Sequence, residues 1–166
     1  MTVESGARSV TRSIRVRPGA TATVTESLVS GWLAIFSQIP LEVHVDGRRI
    51  GTTDDEQLML APGPHLVTLV NTRFNYSETK ALEVRSGYAT PYNVSLPLGV
   101  VHVSGLPGTE IWVEGERVGE APIWNVNVPI GTREIVARHP TLGERRETIE
   151  VRHGEPAEVT ITFATE

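Results

Sequence analysis

Residues 43–51 read VHVDGRRIG and residues 111–119 read IWVEGERVG, so each residue of the first stretch has its counterpart 68 positions later. The glycines around this stretch keep the same spacing: Gly31, Gly47, Gly51 and Gly63 recur as Gly99, Gly115, Gly119 and Gly131. Glycine is used where the backbone turns tightly or takes a positive φ, so a shared glycine register predicts two copies of one set of turns. We therefore predict a tandem repeat of one small fold.

The repeat divides the 166 residues into three predicted segments. The first complete copy covers residues 31–97 and the second covers residues 98–166. Residues 1–30 resemble the last two strands of an earlier copy, because Ile14 and Val16 lie 68 positions before Leu82 and Val84. We expect a hairpin of two strands at 10–17 and 20–28, joined by a turn at 18–19. An isolated hairpin is barely stable in water, so we expect it to pair with the first copy or with another chain.

Short runs of alternating apolar and polar residues, separated by Gly, Pro, Asn and Asp, predict an all-β chain with seven strands in each copy. The last strand of each copy is expected at 90–96 and 156–163. Because side chains alternate across a strand, one face of each copy forms the core. The predicted core positions are Val43, Val45, Ile50, Leu82 and Val84 in the first copy, and Ile111, Val113, Val118, Ile149 and Val151 in the second. The predicted fold is two tandem small β-sandwich domains preceded by a β-hairpin.

Two kinds of turn are predicted from residue type. The dipeptide Asp46-Gly47 is typical of a two-residue hairpin turn, and Glu114-Gly115 occupies the same position in the second copy. Asn75 matches Gly143 at the spacing of 68. Asparagine is one of the few residues besides glycine that adopts a left-handed backbone, so we expect both copies to bend alike at this point.

Composition restricts the class of partner. A net charge of −5 argues against a nucleic-acid partner, which requires a concentrated basic surface. The absence of cysteine removes disulfides, thiolate nucleophiles and thiolate metal sites. The longest apolar run, at 32–36, is far shorter than the roughly 20 residues of a membrane span, so we expect no membrane insertion by this segment. The first six residues lack the pattern of a secretory signal, so we expect any such signal to lie on preceding sequence.

The turn residues carry a resemblance to a known family. Residues 107–122 read PGTEIWVEGERVGEAP and residues 129–131 read PIG, which resembles the PEGA domain, whose signature is a Pro, then V-x-V-D-G, G-x-x-P and P-x-G. The first copy fits through residues 43–47 and departs from the signature at Asp54, where the second copy has Pro122. The resemblance implies a small all-β module of bacterial envelope or sensor proteins, without catalytic residues. It further implies an extracytoplasmic location, in the periplasm or at the cell surface, while the sequence itself leaves a cytoplasmic location open.

The polar residues form no motif typical of a catalytic or metal site. The chain has no G-x-S-x-G stretch, and its five histidines lie on separate strands or loops without metal-ligand spacing. The acidic run 54–56 matches no calcium loop, and no glycine-rich phosphate cradle precedes a helix. We therefore expect no enzyme activity, no bound metal and no cofactor.

Positions where the two copies differ are the candidate contact residues. Trp112 replaces His44, Trp124 replaces Glu56, and Arg133 replaces His65. An exposed tryptophan is a typical anchor of a binding surface, whereas a tryptophan at a sheet edge or between copies is structural. We select Trp112, Trp124, His44 and Arg133 as candidate surface contacts. Two functions follow: a binding or scaffolding module that contacts a protein or envelope component, or a carbohydrate- or cell-wall-binding module that uses the tryptophans.

Overall fold

A computed structural model describes residues 2–5, 8–11, 19, 29–55 and 57–163, and these residues contain no helix. The described strands, in chain order, are β1 Thr2–Ser5, β2 Arg8–Thr11, β3 Gly31–Phe36, β4 Glu42–Val45, β5 Arg48–Thr52, β6 Leu58–Leu60, β7 Gly63–Asn71, β8 Tyr76–Val84, β9 Ala89–Asn93, β10 Leu98–Ser104, β11 Glu110–Val113, β12 Glu116–Glu120, β13 Ile123–Pro129, β14 Gly131–His139, β15 Gly143–Val151 and β16 Ala157–Thr160. The all-β prediction is confirmed.

The described chain divides into two compact units. The first comprises the described residues of Met1–Phe36, Val43–Thr68 and Thr79–Asn93, and the second comprises those of Ser37–Glu42, Leu69–Glu78 and Val94–Glu166. The second unit therefore includes a loop and a hairpin end from the earlier part of the chain. Most of its core lies between two sheets, one in the order β13-β10-β16 and one in the order β12-β11-β14-β15. The buried residues of this core include Val101, Val103, Ile111, Ile135 and Val151.

The strands β3 to β9 form two sheets with the same connectivity as β10 to β16. Their orders are β6-β3-β9 and β5-β4-β7-β8. In each three-stranded sheet the central strand pairs antiparallel with one neighbour and parallel with the other: β3 pairs with β6 and β9, and β10 with β13 and β16. Alternation explains this layering, because inward residues such as Leu33 and Val101 are fully buried. The sandwich-like architecture is as predicted.

The predicted core positions are mostly confirmed. Val43, Val45, Ile111 and Val113 are buried, as are the strand ends Val84 and Val151. The prediction for Ile50 is wrong, since its side chain is 39% exposed. Ile50 lies on β5, an edge strand of its sheet, where a neighbouring strand covers only one side. The counterpart Val118 is partly buried and packs against the core.

Both predicted turn types are confirmed by backbone angles. The φ values of Asp46 and Gly47 are 50° and 80°, and those of Glu114 and Gly115 are 49° and 87°. Two successive positive φ values define the type I′ turn, whose twist matches the twist of a β-hairpin. Asn75 and Gly143 also have positive φ, at 53° and 84°. The chain therefore bends alike at these paired positions.

The last strands are shorter than predicted. β9 ends at Asn93 and β16 ends at Thr160, instead of residues 96 and 163. Phe36 pairs with Asn93 and Ser104 pairs with Thr160, and these are the last residues of the central strands β3 and β10. Each outer strand therefore ends where its parallel partner ends.

The amino-terminal hairpin prediction falls largely outside the described residues. Of the strands expected at 10–17 and 20–28, only residues 10 and 11 are described, and both belong to β2. β2 pairs antiparallel with β1, with Val10 opposite Val3 and Arg8 opposite Ser5. The structure thus describes a hairpin that begins earlier in the chain than the predicted one. Gly19, at the predicted turn, has a φ of 77°.

The two hairpin turns make a paired stability prediction. A Cβ added at Gly47 or Gly115 meets no atom within 4 Å, so any effect of a side chain there comes from the positive φ. We expect Gly47→Val and Gly115→Val each to lower the free energy of unfolding by about 1–2 kcal/mol, because a β-branched residue is strongly disfavoured in this region. The matched control Gly47→Asn should lose less, since asparagine tolerates positive φ. Thermal melts as stable as wild type for both valine variants would contradict the assigned turns.

Candidate functional site

The carboxylate at the first turn position binds the neighbouring strand in each sheet. The Leu66 N–H donates to Asp46 Oδ1 at 2.9 Å, and the Asp46 N–H donates to the Leu66 carbonyl at 2.9 Å. In the second unit the Glu134 N–H donates to Glu114 Oε1 at 3.1 Å, and the Glu114 N–H donates to the Glu134 carbonyl at 3.3 Å. We call this reciprocal pair of bonds the turn clamp. It fixes the hairpin to the strand beside it.

His65 extends the turn clamp in the first unit. Its Nδ1 lies 2.7 Å from Asp46 Oδ2 and its Nε2 lies 2.8 Å from the Ala61 carbonyl oxygen. Both contacts are with acceptors, and an imidazole donates from both nitrogens only when it is protonated. Burial of the ring lowers its pKa, but the hydrogen bonds to Asp46 and Ala61 outweigh it and raise the pKa of His65 above its usual 6.5. The Leu66 N–H and the His65 ring lower the pKa of Asp46 below its usual 3.8.

Arg133 takes the position of His65 in the second unit. Its Nε donates to the Pro129 carbonyl at 2.9 Å and its Nη2 to the Ile130 carbonyl at 2.6 Å. Nη2 also lies 3.4 Å from Gln38 Oε1. The side chain is half-buried, and its donors satisfy the backbone of the turn before β14. This candidate contact residue therefore has a structural role in the described structure.

A cleft of about 320 Å³ opens in the second unit beside Arg133. Apolar and polar side chains share its lining, which consists of Gln38, Val113, Glu114, Glu116, Val118, Asn127, Val128, Pro129 and Arg133. Glu114 accepts the turn-clamp bond and Arg133 binds turn carbonyls, so two of the three charged residues in the lining already serve the fold. Of the four candidate contact residues, Arg133 lines this cleft.

Trp112 lies on the outer face of the sheet β12-β11-β14-β15. Its flanking residues Ile111 and Val113 are buried in the core, so the indole points away from it. The Arg138 guanidinium carbon lies 4.8 Å from the ring centroid, a cation–π distance, and the indole is half-buried. The indole nitrogen is buried and has no hydrogen-bond partner among the described residues. A ligand would have to displace Arg138 to reach the face that it covers.

A β-bulge directs Trp124 to the surface. Val101 pairs with Val126 and Val103 with Ile123, so Trp124 and Asn125 lie opposite the single residue His102. Asn125 has a φ of 59° and donates its N–H to His102 Nδ1 at 3.2 Å. In a regular strand without the bulge, alternation would place Trp124 on the inward face with Val126 and Val128. Instead it is 57% exposed, with its ring 5.2 Å from the His102 ring.

The three candidate contact residues of the second unit do not share one site in the described structure. His44 is half-buried on β4, in the first unit. In the second unit, Trp112 and Trp124 lie on the outer faces of different sheets, and Arg133 lines the cleft.

The acidic loop is organised by its own backbone. Asp55 Oδ2 accepts from the Thr52 N–H at 2.8 Å and lies 3.4 Å from the Thr52 hydroxyl. Glu56 lies outside the described residues. Among the residues that the structure describes, no group of three or more histidine, aspartate or glutamate side chains is placed to hold a metal ion.

Sequence reasoning missed a contact between distant parts of the chain within the second unit. Arg73 forms an ion pair with Glu150, and its Nε donates to Glu150 Oε1 at 3.0 Å. The Asn75 side chain donates to the His153 carbonyl at 2.9 Å, and the His153 N–H donates to the Phe74 carbonyl at 2.9 Å. Phe74 is buried. The available signal was the apolar Phe74 directly before the predicted bend at Asn75.

The comparisons with known proteins bear on the second unit most directly. The sequence profile of the PEGA domain matches residues 99–166. The PEGA domain is a non-catalytic family of β modules of the extracellular type. No curated protein matches the chain. Among solved structures, the chain is similar to the TIE protein of Bacillus anthracis, at 16% identity and a TM-score of 0.37, over 80% of this chain and 34% of that one. The chain thus spans about a third of that protein.

Nothing in the described part of the chain forms a helix of the length and apolar character needed to cross a membrane.

His65 makes the stability of the first unit depend on pH. Because folding raises the pKa of His65, the stabilisation is full below 6.5 and is lost as pH rises through the folded value. Because folding lowers the pKa of Asp46, the stabilisation that Asp46 contributes is full above pH 3.8 and is lost as pH falls through the folded pKa. We expect the melting temperature of the first unit to fall as pH rises from about 6 to about 9.

Substitution separates this pair from other titrations. His65→Arg places a permanent cation at the position, as Arg133 does in the second unit, and should flatten the pH dependence of the melt. His44→Gln is the control, because His44 is the other histidine within residues 29–55 and 57–68. The melting temperature of this variant should depend on pH as that of the wild type does. Equal pH dependence of wild type and His65→Arg would show that His65 does not carry it.

Proposed function

We propose, on the premise that residues 99–166 are a PEGA domain, that the chain is a non-enzymatic, extracytoplasmic binding or scaffolding module built of such domains in tandem. In this proposal residues 31–97 are another PEGA domain and residues 1–30 are the tail of an earlier one. The module is part of a bacterial envelope or sensor protein, and its partner is a protein or another envelope component. It requires no cofactor.

The turn clamp is the observation that best supports the tandem assignment. It occurs at Glu114 and Glu134, inside the segment that matches the family, and again at Asp46 and Leu66, outside that segment. The residue before the clamped one, His65 or Arg133, binds a carbonyl four residues earlier in both cases. This side-chain contact, repeated at the spacing of 68, supports the tandem assignment separately from the order of the strands in the sheets.

The described polar groups support a role without catalysis. The turn carboxylates of Asp46 and Glu114 bind the backbone of the neighbouring strand, and Arg138 and Arg146 pair with Glu144 on exposed strands. Six of the described ion pairs include a residue of β15, for example those of Arg138 and Arg146 with Glu144. Exposed charges of this kind protect an edge strand from pairing with other chains. The step from a module without catalysis to a binding module rests on analogy with the fold.

A carbohydrate- or cell-wall-binding role is the second candidate, and the exposure of Trp124 favours it. The bulge holds this indole at the surface beside His102, where a flat aromatic face can meet a sugar ring. Trp112 supports this role less well, because Arg138 covers its ring. In this alternative Trp124 is the anchor and the neighbouring polar groups select the sugar.

One binding experiment separates the two functions. The purified chain is mixed with envelope fragments of the source bacterium, either intact or digested with protease, and the bound fraction is measured by co-sedimentation. A protein partner predicts binding that digestion abolishes and that Trp124→Ala leaves unchanged. A glycan partner predicts binding that survives digestion and weakens at least about tenfold with Trp124→Ala, a loss of about 1.4 kcal/mol.

Leu106→Ala is the matched control, because Leu106 is an exposed apolar residue of the same unit and is not part of the bulge. It should bind as wild type does in either case. Failure of the wild-type chain to bind intact fragments would contradict both functions.

A further inference from the structure

The cleft of the second unit is lined by two edge strands. β12 is the edge of the sheet β12-β11-β14-β15, β13 is the edge of the sheet β13-β10-β16, and residues of both strands line the cleft. Its apolar lining comes from Val113, Val118, Val128 and Pro129. Val113 and Val128 are buried members of the core, and Val118 packs against them. The apolar part of the cleft is therefore the margin of the hydrophobic core.

Glu116 lies on the inner side of its sheet, beside this apolar lining. It pairs with Val113 across β11 and β12, and cross-strand partners share a face. The next residue, Arg117, pairs with Trp112 on the outer face, so alternation returns Val118 to the inner side. The Glu116 side chain forms no hydrogen bond or ion pair with any residue that the structure describes. Its carboxylate is therefore available to a ligand in the cleft.

The other charged groups of the cleft also leave acceptors for a ligand. The turn clamp occupies Glu114 Oε1, and no further described residue donates to this carboxylate. Arg133 directs its Nε and Nη2 to the carbonyls of Pro129 and Ile130. The lining has two carboxylates and one guanidinium, so its net charge is negative. The cleft thus offers free carboxylate oxygens, while the donors of its cation already bind the turn.

The first copy shows that the fold does not require a carboxylate at this place. The residue 68 positions before Glu116 is Arg48, which begins β5 after the turn at 46–47. The first copy keeps the same turn and the same strand order with a cation there. A charge of either sign can protect an edge strand from pairing with other chains. Edge protection therefore does not explain why the charge in the cleft is negative.

Size and charge together select the occupant of the cleft. Sites for small molecules measure about 300–1,000 Å³, so the volume of about 320 Å³ suits a group no larger than a single side chain. A lysine side chain combines an apolar four-carbon stem with an ammonium that has three donors and no acceptor. The stem is complementary to the valine and proline lining, and the ammonium to the carboxylates of Glu114 and Glu116. A compact ammonium can be shared between two carboxylates, whereas the planar guanidinium of arginine matches one carboxylate at a time.

We propose that the cleft binds a lysine side chain of the partner protein. This inference rests on the proposed function with a protein partner, and it gives the chemistry by which that partner is recognised. The partner contributes the cation, and the second unit contributes the carboxylates and the apolar lining.

An NMR titration of the full chain tests the cleft through its backbone amides. The probe is Nα-acetyl-lysine methylamide, and the reference is Nα-acetyl-norleucine methylamide, which has the same four-carbon stem without the ammonium. We expect the lysine probe to shift the amide signals of Val113, Val118 and Val128 with a dissociation constant of about 1–10 mM, because exposed ion pairs are weak. The norleucine probe should bind about fivefold more weakly or worse, since it lacks the charge.

Substitutions at Glu116 locate the binding. Glu116→Arg installs the residue that the first copy has at this place, Arg48, and should weaken lysine binding at least about tenfold by like-charge repulsion. Glu116→Gln keeps the size of the side chain and should weaken binding about threefold, with an unchanged melting temperature. Glu158→Arg is the matched control, because it makes the same change of charge at an exposed residue of β16 outside the lining. It should bind the lysine probe as wild type does.

Three results would overturn the lysine site. They are cleft amides that do not shift up to about 50 mM lysine probe, equal affinity for the two probes, and Glu116→Arg chains that bind the lysine probe as wild type does. The titration requires no envelope fragment, so its outcome is separate from that of the co-sedimentation. A chain that binds the lysine probe but no fragments supports the lysine site and contradicts only the proposed partner. A chain that binds protein of the fragments but not the lysine probe overturns the lysine site alone.

Discussion

A carboxylate at the first position of a left-handed turn holds each hairpin in register with the strand beside it. The type I′ turns at 46–47 and 114–115 reverse the chain within two residues. The side chain of the first turn residue then lies beside the neighbouring strand of the sheet, β7 or β14. There the carboxylate accepts the N–H of Leu66 or Glu134, and the backbone of the same residue binds that strand's carbonyl. The four-stranded sheets depend on this clamp because it closes the ladder where the hairpin leaves the sheet.

The same structural demand is met by different residues in the two units. In each, a side chain one position before the clamped residue donates to a carbonyl four residues earlier, from His65 to Ala61 and from Arg133 to Pro129. His65 donates to both Ala61 and Asp46 only when it is protonated, whereas Arg133 is always charged. The exchange of histidine for arginine therefore changes the pH response of a turn and leaves its geometry in place. The difference between the copies at this position is therefore explained by the structure of the turn and requires no role in binding specificity.

Local chemistry predicted the elements whose causes are local. Alternation identified the buried positions Val43 and Ile111, and turn residues identified the left-handed backbone at Asp46 and Asn75. Features that depend on a distant partner were not predictable. The bulge at Trp124 is visible only against the register of β10, and the contact of Arg73 with Glu150 joins residues 77 positions apart. Ile50 was misassigned because alternation alone does not show which strand lies at a sheet edge.

Amide hydrogen exchange in the Asp46→Ala variant tests the turn clamp most directly. Removing the carboxylate deletes one bond to the Leu66 N–H and leaves the Glu134 bond to Glu114 intact. The account predicts that the Leu66 amide then exchanges at least about tenfold faster while the Glu134 amide keeps its wild-type rate, because local opening reports the lost bond. An unchanged rate at Leu66, or equal acceleration at both amides, would contradict it.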